Sequence, residues 1–99
     1  MKLKEPWEAI EKYPAGHSKA LEAELRSELS RDHPLYDKSI EIVAKRDDRD
    51  DIILKSEETF FVVHLTWSGK IESLPYPLTE EFMSITAIEG RVAQDAENW

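Results

Sequence analysis

The stretch Thr59-Phe60-Phe61-Val62-Val63-His64-Leu65-Thr66-Trp67, followed by Ser68-Gly69-Lys70, decides how the rest of the chain is read. Its aromatic and β-branched side chains suit a pleated strand. Alternation across the pleat sets Phe61, Val63, Leu65 and Trp67 on one face and Phe60, Val62, His64 and Thr66 on the other. Both faces are largely apolar, which predicts a central strand in a sheet covered on both sides. Ser68-Gly69 predicts a tight hairpin that pairs Trp67 with Lys70 and His64 with Ser73.

Upstream, Asp51 to Ser56 predicts another strand, with a turn at Ser56-Glu57-Glu58, and the charged run Arg46 to Asp51 predicts the turn before it. From Ser39 the spacing of apolar residues is two, which places Ile40, Ile42 and Ala44 on one face of a first strand. Before that the spacing is helical. Leu21, Leu25 and Leu29 make one apolar stripe on a helix from Lys19 to about Arg31, capped by Ser18 and stopped at His33-Pro34. A short helix is expected over Pro6 to Lys12, with proline at its first position. Downstream, Pro75-Tyr76-Pro77 ends a strand or marks a sheet edge. Thr79 is then expected to cap a helix whose inward stripe is Phe82, Ile85, Ile88 and Val92, weakened at Gly90. The expected fold is α+β, an antiparallel three- or four-stranded meander packed with an N-terminal helix and a C-terminal helix.

At 99 residues the chain is expected to form one domain, residues 1–99. It has no cysteine, so packing alone must hold the core and a thiolate zinc site is excluded. With neither a signal-like apolar segment nor a membrane-length apolar run, it reads as a cytoplasmic protein with no membrane partner. Residues 1 to 45 carry eight basic and nine acidic groups, and residues 46 to 99 carry five and twelve, so the second half holds −7 of the net −8. A basic nucleic-acid surface is therefore not expected, whereas an acidic face fits a basic protein partner.

Candidate chemistry is sparse. His64, with Thr66 nearby and Lys70 as an anchor for an anionic group, is the one arrangement that suggests acid–base work or ligand binding. A lone histidine on an apolar face is also an ordinary packed residue. Asp47, Asp48, Asp50 and Asp51 lack the glycine and closing glutamate of a helix-flanked calcium loop, so neither a metal nor a cofactor is expected, and they read as a solvated turn with a protein contact as the alternative. Trp67 is expected in the core beside Phe61, Val63 and Leu65, with a partner surface as the alternative. Tyr76 and Trp99 suit either a core lid or an exposed contact.

The segments His33-Pro34-Leu35-Tyr36-Asp37-Lys38, the Arg-Asp-Asp turn, Val62 to Lys70 (VVHLTWSGK) and the closing Gln94 to Trp99 resemble small bacterial proteins of uncharacterised function, with His-Leu-Thr-Trp the most specific part. The resemblance covers most of residues 20 to 99 and implies the same α+β domain without supplying an activity. Tyr36-Asp37 stands where glycine often follows the His-Pro-Leu step in those proteins, so the turn there is expected to differ.

Two functions follow as expectations. The first is a non-enzymatic protein-binding module, immunity-like or antitoxin-like, that meets a basic partner. The second is a small ligand-binding or enzymatic domain with a pocket around His64. Mimicry of nucleic acid by the acidic turns ranks below both.

Overall fold

The computed structural model describes residues 1–99. Along the chain run β1 (Trp7–Ala9), a single 3-10 turn (Ile10–Lys12), α1 (His17–Glu28), β2 (Glu41–Arg46), β3 (Asp51–Ser56), β4 (Thr59–His64), β5 (Leu78–Phe82) and α2 (Ile85–Glu97). The strands form one antiparallel sheet in the order β1-β2-β3-β4-β5, a five-stranded meander with a helix on each face. This is the α+β architecture expected, with more strands than the three or four predicted. Neither helix is long and apolar enough to cross a membrane.

Alternation in β3 and β4 builds two cores. Ile52, Leu54, Phe61 and Val63 face α1 and pack against Leu21, Leu25 and Leu29. Ile53, Phe60 and Val62 face α2 and pack with Ile88, Val92 and Trp7. β4 is thus buried on both faces, as its composition predicts, and β3 occupies the centre of the sheet.

Several expectations need correction. Residues 6 to 12 do not form one helix: Trp7–Ala9 is a strand and only Ile10–Lys12 makes a 3-10 turn. A helix of under two turns is marginal in water, whereas in β1 the Trp7 ring is buried against the sheet with the Arg46 guanidinium 5.9 Å from its centroid. In α1 the cap position is Gly16, at φ +91°, rather than Ser18. Ile42 and Ala44 do not share a face, because the ladder slips between them: Ile42 pairs with Leu54, Ala44 with Ile53, and the extra residue Val43 packs toward the α2 side. This bulge lets one strand feed both cores.

The largest difference follows β4. No hairpin forms at Ser68-Gly69; β4 stops at His64 and its partner is β5, with His64 opposite Leu78 and Phe60 opposite Phe82. Thr79 therefore lies within a strand, and the cap of α2 is Ser84, whose hydroxyl accepts the Ala87 amide at 3.1 Å. Gly90 does not interrupt α2. Of the expected stripe, Ile88 and Val92 are buried, Phe82 reaches the same core from β5, and Ile85 is exposed.

Candidate functional site

Between β4 and β5 the chain leaves the sheet, and buried groups from other elements hold it there. Glu28, fully buried at the end of α1, accepts the Thr66 amide at 3.0 Å and the Trp67 amide at 2.9 Å. One turn earlier, Glu24 accepts the Gly69 amide at 3.0 Å, while the Glu28 carbonyl accepts the Glu72 amide at 2.9 Å. These carboxylates stand in for the neighbouring strand that the loop amides lack. Burial and a hydrogen bond with Glu24 push Glu28 up to about 7, against the opposing pull of the Thr66 and Trp67 amides.

The far end of the loop is pinned by His33. Its Nδ1 accepts the Leu35 amide at 3.1 Å, so Nε2 carries the hydrogen and donates to the Pro77 carbonyl at 3.0 Å. Thr79 Oγ1 donates to that same carbonyl at 3.0 Å. Glu28 and His33 were not among the residues singled out from the sequence. For Glu28 a signal existed: it falls three residues after Leu25, on the buried stripe, where a carboxylate needs partners. In the sequence His33 marks the helix stop and opens the His-Pro-Leu segment, while the Pro77 carbonyl that it holds lies 44 positions away.

This anchored loop exposes several large apolar side chains among polar neighbours such as Ser68, Lys70 and Ser73. Trp67 is 45% exposed, Ile71 69%, Leu74 52% and Tyr76 48%, and Leu78, at the start of β5, is 43% exposed. Trp67 is therefore not a core residue. Glu28 draws its amide out of the strand path and its φ is +57°, so the alternation that places Leu65 inside does not extend to it. Trp99 is also exposed. A groove of about 370 Å³ is lined by Asp32, His33, Leu74, Pro75, Leu78 and Thr79.

The remaining candidates separate. His64 lies on the α2 side, where Nδ1 meets the buried Asp51 carboxylate at 2.5 Å and Nε2 lies 3.8 Å from Glu80. The second oxygen of Asp51 has no hydrogen-bond partner. From Glu80 the charges continue through Arg91 at 2.6 Å to Asp95, which accepts the Trp7 indole N–H at 2.8 Å and lies 3.8 Å from Arg46. Thr66 instead donates its hydroxyl to Glu72 at 2.6 Å, and Lys70 is exposed on the loop, so both keep company other than that of His64. None of the three surface grooves is lined by His64.

The aspartates of the β2–β3 turn also go different ways. Asp48 makes a two-point contact with Arg46 at 2.9 and 3.0 Å, which holds its carboxyl below the usual range. Asp47 contributes its amide to the Pro6 carbonyl, Asp50 its carbonyl to the Leu65 amide, and Asp51 its carboxylate to His64. They do not converge on a common point, and no group of His, Asp and Glu is arranged to hold a metal ion. No protein-family model, curated protein or solved structure matches the chain.

Proposed function

We propose that this chain is a non-enzymatic protein-binding module that captures a basic partner. The observation that carries the reading is the exposure of Trp67, Ile71, Leu74 and Tyr76 on a loop fastened by buried Glu28 and His33, with Leu78 exposed where β5 begins. A monomer gains nothing from exposing such side chains, whereas a binding surface gains from having them already ordered. The net charge of −8 supplies the attraction for a basic protein. In its most concrete form this is an immunity-like or antitoxin-like protein that covers the working surface of a toxin. The test is a tagged pull-down from lysate of the source organism at low and high salt, run beside Tyr76→Ala. A stoichiometric basic protein, lost at high salt and retained about tenfold less by a variant of unchanged stability, supports the reading. Retention indifferent to both salt and Tyr76 refutes it.

A second reading rests on the Asp51–His64 pair, which orients an imidazole whose Nε2 faces Glu80 near the surface. A small ligand-binding or enzymatic domain would use it as an acid or base. That reading ranks below the first because His64 lines no groove.

A further inference from the structure

β5 is the last strand of the sheet, so one of its sides has no strand partner. It is also the most exposed of the four longer strands, with Leu78, Glu80 and Glu81 all open to solvent. A groove with apolar side chains in its wall lies near each end. At the start of the strand is the groove lined by Leu74, Pro75 and Leu78; just past its end is one of about 280 Å³ lined by Phe60, Met83 and Ile85 with Lys55, Glu58 and Ser84. Natural edge strands are blunted by bulges, prolines, charged side chains or a covering segment, and of these β5 has only the charges Glu80 and Glu81. Within Leu78–Phe82 there is no proline, and the pairing with β4 runs without a bulge.

Charge selects the occupant. Two copies joined edge to edge by antiparallel pairing centred on Glu81 would set the two Glu81 carboxylates directly against one another, which is destabilising. Glu80 is already engaged by Arg91, but Glu81 takes part in no ion pair and projects on the α1 side, opposite Phe61. A basic side chain on an incoming strand is its natural complement.

We infer that the β5 edge accepts an extended basic segment of the partner as a sixth strand, with a Lys or Arg beside Glu81 and an apolar residue entering each groove. The strand spans five residues, so the two apolar anchors lie about 17 Å apart along an extended chain. Backbone pairing supplies affinity, and the grooves and Glu81 supply selection. The inference rests on the binding-module reading and specifies where and how the partner is held.

The probe is a short synthetic peptide that alternates lysine with valine between terminal leucines, alongside a control with prolines replacing alternate valines. Hydrogen exchange on the full chain locates the contact. Expected are saturable binding by the first peptide and not by the control, new protection of amides in Leu78–Phe82, weakening with salt, and affinity about two- to fivefold lower, on the order of one exposed charge pair, in Glu81→Lys. Equal binding of the proline control, or protection confined to residues 66 to 76, overturns strand addition and leaves the module reading intact. Absence of any saturable binding also overturns it, while the pull-down with Tyr76→Ala separately decides whether the chain is a binding module at all.

Discussion

Glu28 fixes the loop that exposes Trp67, and its titration is measurable in the stability of the protein. In the folded chain it is raised to about 7 from an ordinary 4.5. Between those values the folded state keeps a proton that the unfolded state releases. This contribution is therefore full below pH 4.5, falls as pH rises, and is gone above about 7. Glu28→Gln lacks the titrating group. Denaturant unfolding near pH 4.5 and above pH 7 should show the native chain losing stability relative to that variant, and parallel behaviour would reject the assignment. His64→Ala leaves the Asp51 carboxylate buried without its partner and should cost about 2–3 kcal/mol. Trp67→Ala should change stability by less than about 1 kcal/mol, because the ring is exposed; a loss of about 3–5 kcal/mol would return it to the core.

Local pattern and tertiary pairing contribute unequally among the elements. α1, β3 and β4 were legible because their apolar residues repeat at helical or strand spacing and each repeat ends buried, as with Leu21 and Leu25 or Ile52 and Leu54. β5 was not legible. Leu-Thr-Glu-Glu-Phe has no inward alternation strong enough to announce a strand, and it becomes one because the open edge of β4 satisfies its backbone. The slip at Val43 was equally hidden, since it depends on which residue of β3 stands opposite. In α2, Gly90 sits mid-helix and a methyl group added there meets nothing within 4 Å. Gly90→Ala should therefore raise stability by about 0.5–1 kcal/mol in denaturant unfolding. A destabilised variant would show that the helix uses this glycine for a contact or a bend.

Across the molecule, Asp95 joins elements that packing alone would leave loosely registered. From α2 it reaches the Trp7 indole in β1 and the buried Arg46 in β2, and through Arg91 it connects to Glu80 in β5. Asp95→Ala strips the partner from a buried indole N–H and removes one of the two carboxylates beside the buried Arg46 guanidinium, leaving Asp48. It should cost about 2–3 kcal/mol, more than removal of the exposed Glu22 in its pair with Arg26, which should be worth under about 1 kcal/mol. Equal losses in the two variants would mean that the charged chain over the sheet is no more than surface electrostatics. The site is a property of this scale as well. His33 with Pro77, and Glu28 with Thr66 and Trp67, are pairs separated by some 40 positions, so no local pattern joins them.

Composition and periodicity were enough to specify the α+β class, the leucine stripe of α1, the acidic second half and a twice-covered strand starting at Thr59, though not its end at His64 rather than Trp67, because burial of apolar side chains follows spacing along the chain. The fate of the polar residues was set only by long-range pairing. His64 stays at the end of a strand because Asp51 stands opposite, and Trp67 turns outward because Glu28 draws its amide from the ladder. β5 forms because an adjacent edge requires hydrogen-bond partners. Hydrophobic burial is approximately additive in area and can be read residue by residue, whereas a hydrogen bond requires a donor and an acceptor at one place, and that place exists only once the chain has folded.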